Sequence, residues 1–342
     1  MHMADALISP AVGGALWMVT AGLIAYCARK VKQTMNDRLV PMMGVLGAFI
    51  FAAQMINFSI PGTGSSGHLG GGLILTILLG PHAAFLVIAS VLTMQAFFFA
   101  DGGLLALGCN IFNLGFFPAF IAYPFIYRAI TRDEHGILRA WLAAIVAAVV
   151  GLQLGAFSVV LETKASGISE LPFSTFVLLM LPIHLAIGII EGLATAAVVL
   201  FVAHARPEAM FAAQIEANKS VTLAPVLIGL MVAALITGGA VSWFASTHPD
   251  GLEWSIAKVT GKEEVSGSEG DLHAKLAHLQ EKTAFLPDYS FKVLESDAAT
   301  ETIPATTKRW PVVSAGTSLA GIVGGLMTLG LAGLIGFALK AR

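Results

Sequence analysis

Eight long apolar runs, separated by short polar stretches, dominate the pattern of hydrophobic and polar positions along the chain. The runs cover about residues 8–28, 39–58, 71–100, 104–131, 139–161, 173–205, 223–246 and 312–339. Each run is as long as the roughly 20 apolar residues that an α-helix needs to cross the hydrocarbon core of a bilayer. The pattern therefore predicts an all-α fold, that of a polytopic helical membrane protein.

The run at 71–100 is too long for one ordinary crossing, and Gly80-Pro81 interrupts it. Because proline removes a helical hydrogen bond and disfavours helix in the residue before it, the run forms either one kinked helix or two segments, the first of them short. With two segments, eleven Lys and Arg residues lie in the loops of one side, whereas the short loops of the other side hold only Lys164. The positive-inside rule then predicts about nine crossings, with the N-terminus outside and the C-terminus in the cytoplasm.

Changes in composition divide the chain into two modules. Residues 206–222 are charged and polar, and we predict a cytoplasmic linker there. It separates a main module of seven crossings (1–205) from a second module of two crossings (223–342). Between the last two helices, residues 247–311 form a predicted extracytoplasmic segment with too few apolar residues for a well-filled domain of its own.

Composition narrows the classes of function. Hydrophobic residues make up 56% of the chain and charged residues only 12%, about half the charged fraction of a soluble domain. The formal net charge of −2 argues against a nucleic-acid partner. Cys27 and Cys109 lack metal-ligand spacing and are predicted to pack as small apolar residues. Because the chain has no phosphate-loop, zinc-protease or serine-hydrolase motif, we predict that it is not an enzyme, and that any ATP hydrolysis takes place on partner chains.

The N-terminus offers an unusual set of nitrogen donors. The chain begins Met-His-Met-Ala-Asp, without a basic segment or a cleavage site, so we expect no removable signal peptide and a retained Met1. The Met1 amine, the His2 backbone nitrogen and the His2 imidazole can chelate one ion through adjacent five- and six-membered rings. Tetragonal nitrogen coordination suits Ni(II) and Cu(II). Histidine at position two is a weak signal by itself, since many chains begin this way by chance.

A glycine-rich loop carries a second candidate ligand, His68. The loop spans residues 57–72, with six glycines between 62 and 72, and the same topology places it outside. Glycine allows positive φ and close backbone approach, as a chain that folds into a pocket needs. His68 could supply a fourth nitrogen to the Met1-His2 chelate. The alternative is a flexible loop with a solvent-facing histidine.

His184 and Glu191 suggest other classes of function. They are seven residues apart in the 173–205 run, so they share a helix face and could form a buried polar pair. Such a pair inside a membrane is a candidate functional site, and it is the basis for the alternative of a membrane enzyme; a structural hydrogen bond is the other interpretation. An ion-coupled secondary carrier is a third class, disfavoured because ion coupling usually uses buried carboxylates and the membrane interior is sparsely charged.

Small residues recur at four-residue spacing in two of the predicted helices. The patterns are Gly151-x-x-x-Gly155, Gly316-x-x-x-Ala320 and Gly321-x-x-x-Gly325. Such spacing lets helices approach closely in lipid. We expect helix contacts within the chain, and docking of a partner subunit is the alternative.

Several motifs occur together along the first 205 residues. They are Met1-His2-Met3-Ala4-Asp5-Ala6-Leu7, Ser66-Gly67-His68-Leu69-Gly70-Gly71-Gly72, Leu79-Gly80-Pro81, Asp101-Gly102-Gly103 and Gly108-Cys109-Asn110. In this combination the chain resembles the CbiM/NikM family, the substrate-binding membrane components of energy-coupling-factor (ECF) importers for cobalt and nickel. Pro249-Asp250-Gly251-Leu252-Glu253 and its flanking helices resemble the small PDGLE/NikN-type accessory subunit of these systems, here fused to the main one.

The resemblance implies a metal held by four nitrogens in a near-square plane: the Met1 amine, the His2 amide and imidazole, and His68. It also implies a substrate-capture subunit in the inner membrane, with seven helices in its main module. The partners would be a transmembrane coupling subunit, ATP-binding subunits and membrane lipid, and no catalytic cofactor is expected. Ala6 stands where the family usually has glycine, but no ligand is lost.

A planar four-nitrogen field favours low-spin d8 nickel, so we predict that the cargo is Ni(II) rather than Co(II). The Irving–Williams order would favour copper still more, so copper must be excluded by availability or by geometry. Asp5 and Asn57 are expected to orient the ligands.

Overall fold

Helices form nearly all of the regular structure in the computed structural model, which describes residues 2–132, 136–169, 171–211, 223–263, 271–292 and 310–340. In chain order the helices are α1 (Pro10–Thr34), α2 (Leu39–Gln54), α3 (Gly72–Leu79), α4 (Pro81–Phe99), α5 (Leu107–Ile111), α6 (Arg128–Thr131), α7 (Ile137–Ser166), α8 (Phe173–Ala205), α9 (Ala224–Gly239), α10 (Gly251–Thr260), α11 (Asp271–Thr283) and α12 (Ala315–Lys340). One hairpin, β1 (Phe58–Ile60) and β2 (Ser65–Gly67), lies between α2 and α3.

Six helices within these ranges are long and apolar enough to cross a membrane. They are α1, α4, α7, α8, α12 and the continuous helix Leu107–Thr131, in which a π-helical stretch joins α5 to α6. The shorter apolar helices α2 and α9 have 16 residues each. The predicted all-α polytopic membrane architecture is confirmed.

The long run at 71–100 forms two helices, which was one of the two predicted alternatives. Helix α3 ends at Leu79, Gly80 takes a φ of 81°, and Pro81 begins α4. Only glycine adopts a φ of this kind without strain, and proline is well suited to the first turn of a helix. Because α3 has eight residues, it is about 12 Å long and spans less than half of a bilayer core of about 30 Å.

The path of α3 shows that the chain reverses at the break. Gly71, just before α3, contacts Ile50 near the end of α2. Leu78, at the other end of α3, lines a cavity with Met42 near the start of α2. Helix α3 therefore runs antiparallel to α2. Helix α4 runs parallel to α2, since Val87 lies beside Gly47 and Phe99 beside Phe51, so the chain reverses at the break, as the interpretation with nine crossings requires.

The second module is attached to the main module through α2. Helices α9 and α12 both pack against α2 and against each other. A Cβ atom on Gly321 of α12 would collide with the backbone of Gly238 in α9, and one on Gly325 would lie 3.8 Å from the carbonyl oxygen of Ala48 in α2. Gly321 therefore allows the close approach of α12 to α9, and Gly325 lies at the contact of α12 with α2.

The remaining small residues also face other parts of this chain. A Cβ atom on Gly151 would lie 3.4 Å from the Cβ of Ala122 in the π-helical stretch, and Gly155 is buried on the same helix. A Cβ atom on Gly316 would lie 3.0 Å from the backbone nitrogen of Phe291. The structure thus places these positions in helix or loop contacts within the molecule.

Candidate metal centre

The N-terminal segment is held inside the main module by its backbone. The Met3 amide donates to Oδ1 of Asn110 at 2.8 Å, and the Met3 carbonyl accepts from the side-chain amide of Asn110 at 3.2 Å and from the backbone of Gly103 at 2.9 Å. The side chains of Met3 and Ile8 are fully buried. The residues beside the chain start are therefore part of the core, and they carry His2 into it.

His2 and His68 meet in this region. Their rings lie nearly parallel, with centroids 4.9 Å apart and an angle of 9° between the planes. The side chain of His2 is only 7% exposed. The two predicted histidine ligands, 66 residues apart in the chain, are thus brought together. Met1, the third residue predicted for the site, lies outside the described residues.

Asp101 connects His2 to the second module. Its Oδ1 atom lies 2.9 Å from Nδ1 of His2, and its Oδ2 atom accepts a hydrogen bond from the Tyr289 hydroxyl at 2.5 Å. Burial by itself raises the pKa of Asp101, but the charge of His2 and the hydrogen bonds from His2 and Tyr289 outweigh it and lower the pKa to about 2. Burial and the Asp101 charge raise the pKa of Tyr289 well above its usual value. The pair is therefore a carboxylate and a neutral phenol.

The loop after β2 presents His68 with one nitrogen free for an ion. Its Nδ1–H donates to the Leu69 carbonyl at 3.1 Å, so the lone pair is on Nε2. Burial lowers the pKa of His68 to about 3, which keeps the imidazole neutral at physiological pH. A neutral imidazole whose other nitrogen donates to a carbonyl is the usual arrangement of a metal-ligating histidine.

Glu191 of α8 also holds the loop that carries His68. Its two carboxylate oxygens accept hydrogen bonds from the backbone nitrogens of Gly70 at 2.8 Å and Gly71 at 3.1 Å. The side chain of Gln54, at the end of α2, donates to the Gly70 carbonyl at 2.8 Å. The backbone two residues after His68 is therefore fixed from two helices.

His184 and Glu191 do not pair with each other, and His184 makes a structural hydrogen bond, which was the other interpretation. Seven residues of α-helix extend about 10.5 Å, which is too far for direct contact. His184 donates through Nδ1 to the carbonyl of Met180 at 2.7 Å, while Glu191 binds the loop. His184 nevertheless lines a small cavity together with His68 and Asp250. It therefore belongs to the surroundings of the candidate site.

The second module covers the glycine-rich loop. The backbone nitrogen of Ser66 donates to the Pro249 carbonyl at 2.8 Å, and its hydroxyl donates to the His248 carbonyl at 2.8 Å. The Trp254 indole donates to the Thr63 carbonyl at 3.0 Å. These contacts use the turn that precedes α10 and Trp254 of α10 itself, and they place one part of the 247–311 segment on the loop that carries His68.

Another part of the second module covers the N-terminal segment. His273 of α11 donates through Nε2 to the Ile8 carbonyl at 2.9 Å. The side chain of Gln280, also on α11, donates to the Gly102 carbonyl at 2.7 Å and to the Ala96 carbonyl at 2.8 Å. The module therefore contacts both chain segments that carry the candidate ligands.

Asp5 and Asn57, predicted to orient ligands, each bind backbone in neighbouring segments. Asp5 accepts a hydrogen bond from the backbone of Ala106 at 2.9 Å and so ties the N-terminal segment to the loop before α5. The Asn57 carbonyl accepts from the backbone of Ser246 at 2.7 Å, and its side-chain oxygen is buried without a hydrogen-bond partner among the described residues. Both residues fix backbone segments, and these hydrogen bonds do not reach His2 or His68.

The described side chains do not complete a metal site by themselves. Within the described ranges, no group of three or more His, Cys, Asp and Glu side chains is arranged to hold an ion. The sequence predicts that the N-terminal amine and a backbone nitrogen supply the other donors, and this stays a prediction. Sequence reasoning did not name Asp101 and Tyr289 as site residues and gave Glu191 a different partner, because their contacts join residues far apart in the chain; the motif Asp101-Gly102-Gly103 was the available signal for the first.

Two family models match this chain. The model described as "Cobalt uptake substrate-specific transmembrane region" (CbiM) matches residues 2–209, and the model of the PDGLE domain matches residues 224–341. The first match covers more than half of the chain.

Similar proteins cover one or both of these regions. A putative fused nickel transport protein, NikMN, of Archaeoglobus fulgidus is 32% identical over 99% of this chain and 98% of its own length. A putative metal transport protein of Haloquadratum walsbyi is 36% identical over 62% of this chain and 94% of its own length. The crystal structure of a truncated transition metal transporter, 27% identical, superposes with a TM-score of 0.53 over 60% of this chain and 99% of that one. The chain therefore belongs to the CbiM family, in a form that also carries a PDGLE domain.

Proposed function

We propose that the chain is the substrate-capture subunit of an ATP-driven ECF-type importer, with Ni(II) favoured over Co(II) as its cargo. The observation that supports this most is the position of His2 beside His68, at a ring-centroid distance of 4.9 Å, on an N-terminal segment anchored by its backbone. The names of the similar proteins refer to nickel transport in Archaeoglobus fulgidus and to cobalt transport in Geobacter sulfurreducens.

In this proposal the ion binds to the Met1 amine, the His2 amide and imidazole, and Nε2 of His68. An ionised amide nitrogen is a strong in-plane donor, and planar four-nitrogen coordination suits low-spin Ni(II) more than Co(II). The His68 loop, fixed by Glu191, supplies the nitrogen that the N-terminal chelate lacks. Binding would take place from the extracytoplasmic side of the inner membrane.

ATP hydrolysis would drive release of the ion through a transmembrane coupling subunit and ATP-binding subunits. The N-terminus would be extracytoplasmic and the C-terminus cytoplasmic, with residues 206–222 as the cytoplasmic linker between the modules 1–205 and 223–342. Since the second module contacts both ligand-carrying segments, we also propose that its 247–311 segment assists loading or closes the site.

Uptake of radioactive nickel by cells that express the complete transporter tests the proposal. His2→Ala and His68→Ala are expected to abolish uptake, and His278→Ala is the matched control because its side chain is 64% exposed on α11. An alanine inserted after Met1 keeps both histidines but moves His2 out of chelate register with the amine. Normal nickel binding and uptake by the insertion variant would show that the site anchored on the amine is wrong.

Competition between Ni(II) and Co(II) in the same assay decides the preferred ion. Uptake in cells without ECF ATPases would favour a secondary carrier.

A further inference from the structure

The carboxylate of Asp101 joins the candidate metal site to the second module. One oxygen lies 2.9 Å from Nδ1 of His2, and the other accepts the Tyr289 hydroxyl at 2.5 Å. Both oxygens are thus engaged, one by each module. Building on the function proposed above, we propose that Asp101 and Tyr289 are positioning residues, which hold the chelating nitrogen of His2 until the metal ion takes it.

Backbone strain is concentrated around this contact. In the described part of the chain, the non-glycine residues with positive φ are Ala100 (55°), Asp288 (49°) and Tyr289 (56°). Ala100 directly precedes Asp101, and the other two form the turn that carries the tyrosine ring. The left-handed conformation crowds a Cβ atom and persists only where the surrounding structure holds it, often at functional sites. Strained backbone therefore supports both partners of one hydrogen bond.

Packing fixes the direction of the Tyr289 hydroxyl. The Tyr289 ring stacks on Phe99 at a centroid distance of 5.2 Å and meets the Phe51 ring edge-on at 6.1 Å. Leu286, three residues earlier, is buried and donates from its backbone to the Phe98 carbonyl at 3.4 Å. Since the ring is held on the end of α4, its hydroxyl stays aimed at the loop that begins there with Asp101.

The nitrogen that faces Asp101 is the one the proposed chelate requires. A six-membered ring that starts at the His2 backbone nitrogen and passes through Cα, Cβ and Cγ closes at Nδ1, and Nε2 lies too far round the imidazole to close it. Nδ1 cannot donate to Asp101 and bind the ion at the same time. When the ion takes Nδ1, that nitrogen gives up its proton to water, and the bound neutral ring carries its one proton on Nε2. In this structure Nε2 is buried and has no hydrogen-bond partner among the described residues.

Nitrogen NMR of the metal-free full-length protein tests the resting contact. With 15N-labelled histidine and the protein in lipid nanodiscs, the signal that disappears in His2→Gln belongs to His2. We expect the wild-type signal to report a hydrogen-bonded Nδ1–H, and Asp101→Leu to convert it to a mixture of tautomers. Tyr289→Phe should shift the same Nδ1 signal, because the carboxylate loses its second donor. A wild-type His2 without a proton on Nδ1, or a signal unchanged in both variants, would overturn the proposal.

Nickel titration of the same samples tests the consequence for the cargo. Without the tyrosine hydroxyl, the Asp101 carboxylate binds the Nδ1–H of His2 more strongly and competes better with the ion. The nickel affinity of Tyr289→Phe should therefore fall about tenfold, the lower end of the effect of partners that orient metal ligands. Gln280→Met is the control, since Gln280 holds the same module on the same loop through Gly102 and Ala96 without touching Asp101. Equal losses in both variants would show a merely structural role and refute the proposal. If the wild type binds no nickel, the proposed function fails, while the NMR result still decides the His2–Asp101 contact.

Discussion

Replacement of Glu191 by glutamine should loosen the loop that carries His68. Both carboxylate oxygens accept backbone N–H groups, from Gly70 at 2.8 Å and from Gly71 at 3.1 Å. Glutamine keeps one acceptor oxygen but presents an NH₂ group in place of the other. One of the two buried N–H groups therefore loses its partner, and the remaining bond loses its charge.

The size of the effect follows from these two bonds. An unsatisfied buried N–H group costs about 1–3 kcal/mol, and a hydrogen bond to a charged group contributes about 1.5–3 kcal/mol where a neutral one contributes about 1 kcal/mol. We take about 2 kcal/mol as the loss in the loop. Since 1.4 kcal/mol corresponds to a factor of ten, the loop should open about 30-fold more often.

Hydrogen exchange followed by mass spectrometry measures this opening. In Glu191→Gln, the amides of Gly70 and Gly71 should exchange about 30-fold faster, and nickel affinity should fall by up to the same factor because His68 lies two residues away. Glu281→Gln is the control, because its side chain is 79% exposed on α11. Unchanged protection of these amides, together with unchanged nickel affinity, would refute the role of the carboxylate. Slower-exchanging amides of α12 should be unaffected, which separates local loosening from global unfolding.

Two further substitutions test how the N-terminal segment is held. Gly103→Ala should abolish nickel binding, because the new Cβ would overlap the Asp5 side chain and displace the segment, whereas Gly14→Ala on α1, where nothing lies within 4 Å, should bind normally. Asn110→Leu removes both side-chain hydrogen bonds to Met3 and should weaken nickel binding about 10- to 100-fold, the equivalent of about 1–3 kcal/mol. Isothermal titration with nickel measures both, and wild-type affinity in either variant would contradict the anchoring argument.

The membrane helices could be predicted because one local property, the length of an apolar run, decides them. The break at Gly80-Pro81 was also visible, since proline and glycine act on the residues beside them. The choice between one kinked helix and two helices at 71–100 could be made only from charges elsewhere in the chain. The boundaries 206–222 between the modules stay a prediction, because residues 212–222 lie outside the described part of the chain.

The surroundings of the candidate site could not be predicted in the same way. His184 and Glu191 share a helix face, and the pattern suggested that they would meet each other. Two side chains on a shared face point to the same side of the helix. Because His184 and Glu191 are about 10.5 Å apart along the helix axis, they do not touch each other. Glu191 binds the backbone of Gly70 and Gly71, and this partner depends on how a loop 120 residues away folds.

The contacts of the second module with the loop and the N-terminal segment have a consequence for its mobility. They combine hydrogen bonds, such as those from Gln280 and Trp254, with buried side chains, since Leu252, Ile256 and Leu286 belong to the main hydrophobic core. The cover therefore opens only when apolar side chains leave that core. Because a covalently tethered module docks again as an intramolecular event, the closed position is restored without the arrival of a second protein. Fusion thus makes closure of the site independent of the concentration of a partner.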